Sequence, residues 1–370
     1  MTLRERLLAV FRGETPDVVP VYADLSHWHV SQTDAMFVPI RTKDTVEDLR
    51  LFDLHGQLRL GCHLLGPTMY EVCYDETVRE KITCEGGMFE HVIDTPVGSI
   101  AEKRRWNPVS YSYDITHRMI QDVEDLKALN HAYRHRSVAP AYESFEKYDD
   151  LVGDSGVVAG VGGYCGLGFL MSRYMGFAQT VYALADRAAE VEETIALIDR
   201  VRLEEMRVTA ESPAPFVVFS DNLSSDMYSP DLVARYLKGF YTQLADICHS
   251  RGKWLSVHLD GRVRGLLSPL RECGVDCVEA ITPAPDGDMH PEQIREAAGP
   301  DMIIWGGIPA SLWQEYTPQD RFVAYVKDYL QLRRRGPRLV IGPSDQAVPG
   351  TPRQRLEMLY DLVEKYGRYD

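Results

Sequence analysis

The sequence predicts an α/β fold: a single-domain (β/α)8 TIM barrel with an antiparallel β-hairpin inserted after the second strand. Three observations carry that prediction. Apolar β-like runs alternate with helix-patterned stretches along most of the chain, the mark of βαβ units and a parallel sheet. About eight such runs occur, the number that closes this barrel. One stretch, residues 70–110, departs from the pattern and alternates polar with apolar residues, as an antiparallel hairpin does.

In chain order, residues 2–12 read as a helix. Thr2 is its N-cap, Glu5 completes a capping box, and Leu3, Leu7, Leu8 and Phe11 form its apolar stripe. GETPD ends it, and residues 19–25 read as the first buried strand. The second is GQLRLGCHLL, 56–65. The sequence EGG within 70–110 is a hairpin turn. Further strands are expected at 157–163, 215–222, 253–260, 276–282, 302–308 and 338–344. Helices are expected at 177–211, 231–251, 262–273, 290–299, 317–333 and 351–366. No repeat, low-complexity tract or flexible linker divides the 370 residues, so 1–370 reads as one domain.

Hydrophobic residues make up 45% of the chain and charged residues 26%, enough apolar matter for a large core. The net charge of −15 argues against nucleic acid and anionic membrane as partners. No apolar run is long enough to span a bilayer, and the charged start does not read as a secretory signal. Seven scattered cysteines suit reduced thiols in a cytoplasm.

In a barrel of this kind catalytic groups stand at the C-terminal ends of strands. LSVHLDG ends in His258 and Asp260, two apart and therefore on one face of the strand. Imidazole nitrogen with carboxylate oxygen is a plausible half of a metal site, and the bland reading is a histidine held by a carboxylate. Asp345 follows the last strand, where an Asx turn or helix cap is the simpler role. Glu279 stands inside an apolar run, where a carboxylate is costly unless paired or bound, and Asp221 with Asn222 ends another strand. Tyr22, Asp24, His27, Trp28 and His29 follow the first strand and could line an apolar pocket. Gly160, Gly162 and Gly163 fail as a dinucleotide loop because Cys165 stands at the third position. Asp53 and His55 begin a cobalamin-binding signature, but Leu58 replaces its glycine.

Taken together, RERLLAVFRGETPDVVPV, GGYCGLGFLMSRYMGF, SDNLSSDMYSPDLVARYL, VHLDGRVRGLLSPLRECGVDCVEAITPAP, IIWGGIPASL and AVPGTPRQRLEML resemble the uroporphyrinogen decarboxylase superfamily, which includes zinc-dependent corrinoid methyltransferases. The decarboxylase branch binds its polycarboxylate with an arginine-rich loop near the N-terminus; here residues 25–40 contain no Arg or Lys. The methyltransferase branch binds zinc through His-x-Cys and a later Cys. Here His258 matches the histidine, and Asp260 and Asp345 stand at the two cysteine positions.

The resemblance therefore implies a metal, zinc or another divalent ion, on His258, Asp260 and Asp345. Carboxylates in place of thiolates make a harder Lewis acid, suited to an oxygen. The expected reaction moves a methyl group between a small O-methyl compound, such as a methoxyaromatic, and the cobalt of a separate corrinoid protein. Glu279 and Asp221 would be the acids, with Tyr22, His27, Trp28, His29 and Asn222 around the substrate. The alternative is a metal-independent decarboxylase of a small acid, favoured if arginines line the mouth and the three ligands stand apart. The sequence leaves a homodimer open.

Overall fold

The computed structural model describes residues 1–33, 36, 49–63 and 66–369. The end of the second predicted strand (64–65) and most of residues 34–48 lie outside them.

The capping box forms as expected. The Thr2 side chain accepts from Glu5 N–H, the Glu5 side chain accepts from Thr2 N–H, and the helix Leu3–Arg12 ends at Gly13 with φ 77°. Its buried face (Leu7, Val10, Phe11) closes the N-terminal end of the barrel against Phe216, Trp305 and Val340.

The barrel strands are β1 (Tyr22–Ala23) and β2 (Gly61–Cys62), then, after an insertion, β9 (Gly160–Gly162), β10 (Phe216–Leu223), β11 (Trp254–Leu259), β12 (Cys277–Ile281), β13 (Ile303–Ile308) and β14 (Leu339–Pro343). β9 to β14 pair in sequence order as one parallel sheet, and β1 pairs with β2. Two single parallel bridges, Val21 to Ile341 and Cys62 to Gly156, join these two pieces at both edges. Eight strands thus follow one another in barrel order, two of them only two residues long.

The second strand is shorter than predicted. Its first part belongs to the helix Leu49–Leu58, because Leu51, Leu54, His55 and Leu58 recur at helical spacing and are buried. The insertion is larger than a hairpin. β4 (Arg79–Glu85), β5 (Met88–Thr95), β6 (Gly98–Asn107) and β7 (Ser112–His117) form a four-stranded antiparallel meander. β3 (Tyr70–Tyr74) pairs with β8 (Arg136–Pro140) at its base. The EGG turn sits where expected: Gly86 and Gly87 have φ 55° and 75°, which a tight hairpin turn of this hand requires, with Glu85 opposite Met88.

The helix predicted over 177–211 is two, Phe177–Asp186 and Ala188–Glu211, with Arg187 non-helical between them. A buried ionic network ties the second of these to the insertion. Glu205, fully buried, receives Arg202 at 2.6 Å, Tyr70 at 3.1 Å and Arg136 of β8. Among the described residues no helix is long and apolar enough to cross a membrane.

Candidate active site

Alternation along the barrel strands decides what faces inward. Phe216, Val218, Cys277, Ile303, Trp305 and Val340 form the lower interior with the capping helix. One pleat repeat higher the interior turns polar, because the same parity carries Trp254 and Ser256 to His258, Cys277 to Glu279, Tyr22 to Asp24 and Gly61 to His63. This polar layer is the barrel mouth.

His258 is its centre. Its Nδ1 is 2.6 Å from Oε1 of Glu279, and its Nε2 is 4.0 Å from Oδ1 of Asp345. The other Glu279 oxygen lies 3.7 Å from Nε2 of His63, whose ring packs on Trp305 at 4.5 Å. Burial alone would lower the His258 pKa; the Glu279 charge and hydrogen bond outweigh it and carry it up to about 9. Burial would raise the Glu279 pKa, but His258 holds it below the usual carboxylate range. The pair is therefore imidazolium and carboxylate at neutral pH.

Asp345 keeps 51% of its side-chain surface accessible, yet the surrounding protein pushes its carboxyl up to about 6. The neighbouring Asp24, Glu279 and Asp260 charges add to this and His258 opposes it.

Two of the three expected metal donors thus face each other. Nδ1 of His258 is fixed by a carboxylate, which leaves Nε2 directed at Asp345, an arrangement common in metal-binding histidines. Asp260, exposed at the end of β11, does not complete the set. Among the described residues no group of three His, Cys, Asp or Glu side chains is gathered to hold one ion. The donors fit two positions of such a site and not a third.

Several expected residues stand elsewhere. Glu279 was expected as an acid or substrate ligand, but it is 1% exposed and both its oxygens face imidazoles, so it positions His258. Asp221 was expected at the mouth. It points outward between strand and helices, fully buried, accepting from Tyr241 Oη at 2.7 Å and Cys165 N–H at 3.2 Å. Tyr22 was expected around the substrate; it is buried at the opposite end, its hydroxyl donating to the Leu3 carbonyl at 2.7 Å. Trp28 is a core anchor that donates to the Thr351 carbonyl at 2.8 Å. His27 Nε2 lies 2.6 Å from the Ser110 carbonyl at the tip of the insertion, and His29 is buried. Asn222 is half-buried at a register shift of β10, with φ 47°, a conformation asparagine tolerates.

Asp221 carries a pH prediction. Burial first, then the Asp199 charge, raise its pKa to about 7 against the opposing hydrogen bonds. The folded state therefore keeps a proton that the unfolded chain gives up near pH 4. Its contribution to stability is complete below that pH and is lost as pH rises to about 7. Urea unfolding between pH 4 and 8 should show a fall with rising pH that is steeper in wild type than in Asp221→Asn; equal slopes would remove this account.

Four further residues stand at or near the mouth. His63 directly follows β2. Tyr164 and Arg173 follow β9, and Arg104 lies on β6 of the insertion, too remote in sequence to be assigned. On the buried face of β6, Arg104 donates to Glu102 at 2.5 Å. Burial lowers the Arg173 pKa and the like charge of Arg104 lowers it further. Burial raises that of Tyr164, which also feels Arg173, Asp260 and Arg104.

The uroporphyrinogen decarboxylase (URO-D) family model matches residues 111–366, more than half of the chain. In fold the chain is similar to a methyltransferase from Methanosarcina mazei, at 18% identity over 99% of each chain with a TM-score of 0.62. A xylose isomerase domain protein from Planctomyces limnophilus is 14% identical over 61% of this chain and 82% of that one, with a TM-score of 0.34. No curated protein matches the sequence.

Proposed function

The chain belongs to the uroporphyrinogen decarboxylase family, and from that premise we propose that it is a methyltransferase taking a methyl group from a small O-methyl compound. The observation that carries the reading is His258, held on one nitrogen by Glu279 and presenting the other to Asp345 at the barrel mouth. The full-length likeness in fold to the Methanosarcina mazei protein supports it. The absence of Arg and Lys from residues 25–40 and the −15 net charge weigh against a polycarboxylate substrate.

A corrinoid on a separate partner protein would accept the methyl as its bond to oxygen breaks and the electron pair stays on that oxygen. The oxygen then needs a proton or a positive charge beside it. His258 supplies both: it is cationic at neutral pH and its Nε2–H opens toward the mouth. Glu279 keeps the imidazole oriented and charged. Asp345, which titrates near pH 6, can return the proton. Were zinc or another divalent ion bound instead, His258 Nε2 and Asp345 would hold it with that nitrogen deprotonated, and it would supply the positive charge in place of the Nε2 proton; Asp260 would have to approach to add a third bond.

The test is incubation with methoxyaromatic compounds and cob(I)alamin as acceptor, with and without added zinc. Loss of cob(I)alamin absorbance together with release of the free phenol is expected. No transfer from any methoxyaromatic under either condition overturns the proposal.

A second reading, decarboxylation of a small acid without a metal, is favoured by two specific observations: Arg104 and Arg173 near the mouth, and no three-donor group among the described residues. It predicts carbon dioxide release with His258 as proton donor.

A further inference from the structure

The mouth holds an arginine that the structure does not pair. Among the described residues, the Arg173 guanidinium has no hydrogen-bond or ion-pair partner, although only part of its surface is exposed. Its neighbours are Arg104, already bound to Glu102, and the Tyr164 ring, which packs against Phe169 at 5.9 Å. Arg118 clamps the backbone beneath it, donating to the Ser172 and Arg173 carbonyls at 3.2 Å. The backbone that carries the free cation is thus held in place.

A shielded guanidinium beside a second one is unfavourable unless an anion completes it. The buried carboxylates nearby are already taken, Glu279 by His258 and Glu102 by Arg104. We propose that Arg173, with the Tyr164 hydroxyl, is the anchor for a carboxylate group of the substrate, so that the natural substrate is a monocarboxylate.

A singly charged anion fits better than phosphate. One unpaired guanidinium faces it, Glu102 and Asp260 stand nearby, and the whole chain is strongly negative. A carboxylate also matches the planar fork of arginine with two parallel hydrogen bonds. The anchor rests on the mouth being the substrate site, as proposed above, but not on which bond is cleaved there.

The experiment is calorimetric titration of the full chain with 4-methoxybenzoate, 4-methoxybenzamide and inorganic phosphate, repeated on Arg173→Met and Arg173→Lys. The wild type should bind the benzoate about tenfold or more tightly than the isosteric amide, the margin a charge-assisted hydrogen bond supports. Arg173→Met should lose that preference and bind acid and amide alike. Arg173→Lys, which keeps the charge without the fork, should retain part of it. Equal binding of acid and amide by wild type, no binding of the benzoate, tighter binding of phosphate, or an unchanged preference in Arg173→Met each overturns the anchor. Carboxylate preference through Arg173 without methyl transfer would keep the anchor and remove the methyltransferase reading; methyl transfer without that preference would do the reverse.

Discussion

Replacing His258 by alanine is expected to lower turnover about 10²–10⁴-fold, the usual worth of a positioned proton donor. The side chain is nearly enclosed, and its two nitrogens have separate duties, Nδ1 to Glu279 and Nε2 to the mouth. Glu279→Gln is a finer test. The amide still offers an oxygen to Nδ1–H, so the ring stays in place, but the charge that keeps the imidazole protonated is gone. Its turnover should fall between wild type and His258→Ala, with substrate affinity little changed. Steady-state kinetics on both variants, with near-ultraviolet circular dichroism to verify the fold, decides the matter. Near-normal turnover in His258→Ala would remove this residue from the chemistry.

The largest effect on stability should come from Glu205. It is fully buried and is the carboxylate shared by Arg136 and Arg202, whose guanidiniums lie over the Tyr133 and Phe169 rings at 4.9 and 4.6 Å. Already Nε of each arginine has no hydrogen-bond partner among the described residues. Glu205→Gln would leave two interior cations without a counter-charge, at a cost of about 3–5 kcal/mol. Against a total stability of about 5–15 kcal/mol, that is a large share. Urea unfolding measures it directly, and a loss below about 1 kcal/mol would mean that the network is dispensable. The same variant bears on function. Arg136 belongs to the insertion and Glu205 to the barrel's helical layer, so this network fastens the base of the meander that carries Arg104. Glu205→Gln should therefore also weaken substrate binding before it unfolds the chain.

Legibility differed from element to element for physical reasons. The first helix was readable because its determinants, Thr2, Glu5 and a leucine stripe, are local. The EGG turn was readable because few residues other than glycine adopt the required backbone. The second strand was not, since only two of its residues pair and the leucines before it serve a helix instead. An apolar run around Glu279 says that the carboxylate needs a partner, yet nothing local says which partner. The side on which Asp221 falls is not legible, because barrel strands are buried on both faces and PFVVFSDN has no polar alternation to reveal its parity. Phe216 and Val218 face inward, which sends Asp221 out to Tyr241.

The alternation that makes a barrel, the strand end that carries His258 and a charge balance hostile to polyanionic substrates are all written in the chain itself. These follow from local periodicity and from composition, which require no knowledge of contacts. Folding in three dimensions settles which carboxylate grips His258, that Asp260 stands outside the His258 and Asp345 pair, and that Arg173 of the third barrel unit lies within reach of the charge on Arg104 of the insertion. Ring closure and the folding of the meander bring together side chains far apart in the chain, and their mutual charges, not their spacing, define the site.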